Sequence, residues 1–247
     1  MTGVAGLPGV TGAAGVPGET GVALVTVAHG TRHATGNEVA RSLTSACGSA
    51  LEARAVASYV ELCEPSLASV MTGMTGPAAV VPLLLSTGYH VREDLPAAAS
   101  LSLHPVALAP PLGPDPVLAV VQATRLVEAG ARPGQPVVLV AAGSTDPQSD
   151  DDLEGAVAHL ASVWDGPVSP ATLSGRGRRP ADVVRPGDAV SPYLLSPGFF
   201  ARRAREESLA AGAAVVADVL GPHPALVDLV CARYQSARRQ LQPRRGG

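Results

Sequence analysis

The sequence contains no lysine and no isoleucine, and Asn37 is its one asparagine. All 18 cationic side chains are therefore arginine. A GC-rich coding bias accounts for the pattern, but it has a chemical consequence. Without lysine there is neither a Schiff-base amine nor a P-loop cation. Anion recognition falls to arginine forks, hydroxyls and helix N-termini. Cysteine is also sparse. Cys47, Cys63 and Cys231 form no CxxC pair, which argues against a disulfide framework, an iron–sulfur cluster and a cysteine zinc site. No apolar run reaches transmembrane length, and the opening residues lack the basic region and apolar core of a secretory signal. The expected setting is a reduced, cytoplasmic one. A net charge of −3 offers no basic surface for nucleic acid or an anionic membrane.

What is present is an ordinary globular mixture, 46% apolar and 16% charged over 247 residues, enough for one large domain or two small lobes. Glycine recurs at every third position from Gly3 to Gly21, with prolines at Pro8 and Pro17. So few triplets make a weak collagen helix, and residues 1–21 read as a flexible arm. At the other end, 242–247 reads as a disordered tail.

From Val22 onward, short apolar runs alternate with alanine-rich segments of helical period. The spacing predicts strands at Val22–Ala28, Ala55–Val60, Ala78–Leu85, Pro105–Ala109, Pro136–Ala142, Val168–Leu173, Ala189–Leu195 and Ala213–Ala217. Between them it predicts helices near 37–52, 65–74, 94–102, 115–130, 150–163, 180–185, 199–211 and 222–240. Strand and helix in alternation imply parallel sheets with right-handed crossovers.

The pattern also repeats. "VTVAHGT" is echoed by "VLVAAGS", "VVPLLLSTGYH" by "AVSPYLLSPGFF", and "LGPDPVL" by "LGPHPAL". The matched residues Gly30/Gly143, Pro82/Pro192 and Gly113/Gly221 keep an offset of about 110 residues. The chain therefore reads as an α/β protein of two similar flavodoxin-like lobes, 22–133 and 134–241, each a parallel sheet flanked by helices. Shared features belong to the fold, whereas features of one half alone are candidates for chemistry. Two imidazoles qualify: His29 faces Ala142 in the repeat, and His90 faces Phe200.

In open parallel sheets, ligands bind beyond the carboxyl ends of the strands. With strand order 2-1-3-4, His29 follows strand one, Glu61 follows strand two and His90 follows strand three. Neighbouring strands lie about 4.8 Å apart, so the two histidines are placed to share one metal ion. Glu61 is either a third group at that edge or a cap for the helix near Pro65. Asn37 is the expected N-cap of the helix at 37–52. The acidic run at Asp150–Glu154 suits a first helical turn behind a Ser149 cap. Arg176, Arg178 and Arg179 form either plain surface or a holder for an anionic ligand. His33, His104, His159 and His223 read as loop, loop, helix and cap residues.

Together, "VAHGTR…N", "VELCEPSL", "VPLLLSTGYHVREDLP" and "PPLGPDP" resemble the sirohydrochlorin chelatases, the class II chelatases of siroheme and cobalamin synthesis. The resemblance covers nearly all of the chain after the arm. It implies ATP-independent insertion of a divalent metal into sirohydrochlorin in a cleft between the lobes. By that resemblance His29 and His90 bind the metal and are catalytic, with Glu61 in support. Gly30, Thr31, Arg32, Asn37, Gly88, Tyr89 and Arg92 are the candidate macrocycle contacts. No prosthetic group is implied, because the metal is a substrate: Fe2+ first, Co2+ or Ni2+ as alternatives. A cobaltochelatase is the runner-up, and a non-catalytic metal or tetrapyrrole carrier is the competing class.

Overall fold

The first apolar run folds as β1 (Ala23–Ala28), whose six residues are all buried. A strand covered on both faces belongs inside a parallel sheet, and β1 pairs with β2 (Ala55–Tyr59) on one side and β3 (Ala78–Pro82) on the other. An edge strand, β4 (Val106–Leu108), completes the parallel order β2-β1-β3-β4. The second half repeats this with β5 (Val137–Ala141), β6 (Val168–Thr172), β7 (Ala189–Tyr193) and β8 (Val215–Val216), in the order β6-β5-β7-β8. Both sheets have the expected flavodoxin-like order. This computed structural model describes residues 21–32 and 34–242. Most of the predicted arm (1–20), His33 and the tail at 243–247 lie outside the described residues.

The helices are α1 (Ala34–Leu51), α2 (Leu67–Thr72), α3 (Leu95–Ala99), α4 (Pro116–Glu128), α5 (Gln148–Val163), α6 (Pro180–Val183), α7 (Phe199–Ala210) and α8 (Pro224–Gln240). Among the described residues, no helix is long and apolar enough to cross a membrane. Equivalent caps open α4 and α8: Asp115 accepts from Val117 N, and His223 accepts from Ala225 N, the cap role expected of it.

Among the boundaries that differ from expectation, four have a clear local reason. Helix α1 begins at Ala34, which puts Asn37 inside the first turn and not at the cap. Strand β3 stops at Pro82, because the Leu84 carbonyl turns to Gly113 N (3.1 Å) and that of Leu85 to the Tyr193 hydroxyl (3.3 Å). The helix expected at 94–102 is one turn of π-helix, His90–Asp94, followed by the short α3. Helix α5 starts ahead of Ser149, and Asp146 caps it by accepting from Gln148 N at 3.1 Å.

The last helix of each repeat leaves its own sheet. Helix α4 packs on β7 and α5, whereas α8 packs on β3, β4 and α1. Gln122 of α4 donates to Ser191 Oγ of β7 at 2.9 Å, and Tyr234 of α8 donates to Val22 O at 2.6 Å. One hydrophobic cluster consequently runs through both halves, from Leu24, Leu43 and Leu83 to Leu139, Leu160 and Tyr234. Separate clusters cover the outer face of each sheet.

The carboxyl edges of the two sheets meet at one junction, through contacts that mirror each other. After β3, Thr87 donates from its backbone and its hydroxyl to Asp152 Oδ2 of α5, each at 2.6 Å. Arg92 pairs there with Asp146. After β7, the Pro197 carbonyl abuts the first turn of α1, lying 2.7 Å from where a Cβ on Gly36 would sit.

Candidate functional site

His29 is the first residue past β1. The sheet ladder continues one step beyond the strands, with Val60 N donating to Ala28 O (2.9 Å) and Glu61 N to His29 O (3.1 Å). This pins the backbones of His29 and Glu61 side by side. Gly30 then turns with φ 94°, and a Cβ there would lie 2.0 Å from the Glu61 carbonyl oxygen. Only glycine permits both the turn and the approach.

Asn37 holds the other side of this loop. Its Oδ1 accepts from Thr31 N (3.0 Å) and its Nδ2 donates to Thr31 O (2.7 Å). Asn37 is buried, and its amide clamps the backbone of the loop. Its expected role as N-cap gives way to that clamp.

His90 opens the π-turn, and Leu95 N donates to its carbonyl. Its Nδ1 lies 2.6 Å from Asp94 Oδ2. A carboxylate only accepts, so Nδ1 carries the hydrogen and Nε2 is left as the ligating nitrogen. The rings of His29 and His90 stand 5.1 Å apart, edge to face at 88°. His29 Nε2 is 3.5 Å from Glu61 Oε1.

One ligating atom from each of His29, Glu61 and His90 therefore lies within 4.8 Å of the others. Metal–nitrogen and metal–oxygen bonds of about 2.1 Å place ligand pairs at most about 4.2 Å apart, so small side-chain rotations close the three on one ion. Their side chains are 51%, 49% and 35% exposed. Three protein ligands with open positions suit an ion that is received and passed on; a structural ion is normally enclosed by four.

The remaining predicted contacts divide. Arg32 and Tyr89 are exposed, with the Tyr89 ring 6.4 Å from that of His90. Thr31 is half-buried in the clamped loop, and the Cβ position of Gly88 faces open space. Arg92 instead bridges the lobes through Asp146. The arginine-rich loop mostly serves itself. Arg179 donates to the carbonyls of Thr172, Ser174, Gly175 and Gly177, Arg178 donates to Asp182 O, and Arg176 pairs with Asp150 at 2.7 Å. The acidic run does begin a helix, yet Asp152 also reaches Thr87 across the junction. The pairing of Asp94 with His90 is not among the sequence expectations, although the spacing of four residues is visible in "HVRED".

Comparison with known proteins gives concordant matches. The family model described as CbiX matches residues 23–129 and again residues 136–237. A sirohydrochlorin ferrochelatase of Bacillus subtilis (strain 168) is 28% identical over 206 residues, 75% of this chain and 78% of the relative. The structure of SirB from Bacillus subtilis with Fe3+ superposes with a TM-score of 0.75 at 24% identity, over 90% of this chain and 97% of that one. That of CbiX, the terminal enzyme of siroheme biosynthesis in denitrifying bacteria, does so at 0.69 and 18%, over 87% and 99%. At these identities the structural likeness carries the fold.

Proposed function

The chain belongs to the CbiX family, and from that premise we propose that it is a sirohydrochlorin chelatase, inserting Fe2+ into the macrocycle without ATP to form siroheme. The observation that carries this reading is the convergence of His29, Glu61 and His90 on one half-open point at the junction of the lobes. The curated relative is a sirohydrochlorin ferrochelatase, which favours iron. Cobalt is the second reading, because a SirB structure from Bacillus subtilis subspecies spizizenii holds cobalt on the same fold. Two nitrogens and a carboxylate accept either ion.

Insertion requires the ion to shed water and the macrocycle to lose two N–H protons. Imidazole and carboxylate ligands bind a divalent ion and also accept protons, so one cluster serves both needs. Asp94 keeps His90 Nε2 available for the ion. Gly30 and Asn37 hold the His29 loop at its distance from Glu61. Arg32, and the backbone around Thr31 and Gly88, offer donors to the substrate's carboxylates, and Tyr89 offers it a ring face. Holding the macrocycle over a positioned ion supplies rate through orientation. The three free cysteines support a reducing, cytoplasmic setting.

The test is spectrophotometric. Sirohydrochlorin is mixed with Fe2+ or Co2+ under anaerobic conditions, with and without protein. The wild type should exceed the spontaneous rate, while His29→Ala and His90→Ala should lose most of the gain. If both variants match the wild type, the residue assignment is wrong. Tight macrocycle binding without added rate would instead identify a carrier.

A further inference from the structure

The sequence holds two phenylalanines, adjacent in the chain, and neither is in the core. Phe199 is 53% exposed and Phe200 38%. Phenylalanine is among the residues most often fully buried, so two exposed rings in contact need a reason. Their centroids are 5.4 Å apart, edge to face. They open α7 just past the loop in which Pro197 abuts the first turn of α1, which places them at the junction of the lobes.

The internal repeat identifies the place more closely. A Cβ on Gly30 would meet Glu61 O at 2.0 Å, and a Cβ on Gly143 would meet Ser174 O at the same distance. Ser174 is thus the counterpart of Glu61, while Ala142 and Phe200 stand opposite His29 and His90 in the echoed segments. Where one half carries imidazole, carboxylate and imidazole, the other carries methyl, hydroxyl and phenyl. The Ser174 hydroxyl donates to Ala142 O at 2.7 Å, which satisfies it locally. The second half thus keeps the shape of a site at its carboxyl edge, with an apolar character in place of ligands. Beside it, the exposed Arg202 guanidinium lies 6.0 Å from the Phe199 ring centroid.

An exposed aromatic pair edged by a cation suits a broad macrocycle with carboxylates on its rim, one ring meeting its plane by the face and the other by the edge. We propose that Phe199 and Phe200, with Arg202, form the wall against which the tetrapyrrole plane rests while the opposite lobe presents the metal. This rests on the chelatase reading. The division of labour is chemical: the first half alone coordinates the ion, and the second adds a face to grip the ring without competing for the ion.

The experiment measures two affinities on the intact protein, for sirohydrochlorin by absorbance titration and for Co2+ alone by calorimetry. Phe199→Ala/Phe200→Ala should bind the macrocycle about tenfold more weakly, raise KM more than it lowers kcat, and bind Co2+ as the wild type does. Both rings are exposed, so thermal unfolding should shift little, and Phe199→Tyr/Phe200→Tyr should restore macrocycle binding. Wild-type macrocycle affinity in the double alanine variant overturns the wall and leaves the chelatase reading intact. Failure of the wild type itself to bind sirohydrochlorin overturns both.

Discussion

Asp94 sits 2.6 Å from Nδ1 of His90, and a carboxylate in that place decides which nitrogen is offered to an ion. An asparagine there presents either a donor or an acceptor, so the imidazole no longer has one enforced tautomer. Asp94→Asn should weaken Co2+ binding by about 10- to 100-fold, as loss of an outer partner does at other metal sites. Isothermal titration is the measurement, and unchanged affinity would dismiss the role. The histidines were legible in the sequence because the second half supplied a control: two imidazoles have no counterpart there. The roles of Asp94, Asn37 and Arg92 were hidden for a different reason. Each is defined by one spatial partner (His90, the Thr31 backbone or Asp146), and a residue type does not announce its partner.

Gly30 and Gly143 close the same turn in the two halves, with φ of 94° and 87°. Replacing either with alanine brings a Cβ against a carbonyl oxygen and also imposes left-handed backbone strain. Each change should cost about 1–3 kcal/mol in urea unfolding. The functional outcomes should diverge. Gly30→Ala must push the His29 loop away from Glu61 and lower Co2+ affinity, whereas Gly143→Ala should leave that affinity unchanged. Equal losses of metal binding would show that the effect is global and not local. At this scale the strands were the most readable feature, because nearly continuous apolar runs such as Ala23–Ala28, interrupted only by Thr26, match two-sided burial. Helix starts were less readable. Asn37 looks like a cap, but the helix extends back to Ala34 while its amide turns to Thr31. The π-turn at His90 was not visible at all, since apolar periodicity does not distinguish its register from that of an ordinary helix.

Across the whole molecule, burial keeps several weak acids neutral. Desolvation, with Cys231 nearby, pushes the Cys47 thiol up to about 12. Desolvation first, and then Asp152 and Asp115, raises the Tyr193 phenol, and burial likewise raises Tyr59 and Tyr234. In the unfolded chain these groups ionise nearer their ordinary values, 9.0 for the thiol and 10.0 for the phenols. The folded state then holds protons that the unfolded state has released, so stability is fully present below pH 9 and declines above it. Urea midpoints measured from pH 8 to 11 should stay level and then fall, and a flat profile would contradict the assignment. The two-lobed architecture was legible from the repeat. The exchange of α4 and α8 was not, because each helix is amphipathic and either sheet satisfies its apolar face equally well in sequence terms.

That exchange has a further result. A half severed between its last helix and the next strand would keep one bare sheet face and one stranded helix, complementary surfaces on a single fragment. Two such fragments would satisfy one another by trading helices into an obligate pair. The covalent link therefore does more than join twins: it guarantees that an imidazole-bearing copy is always married to one without.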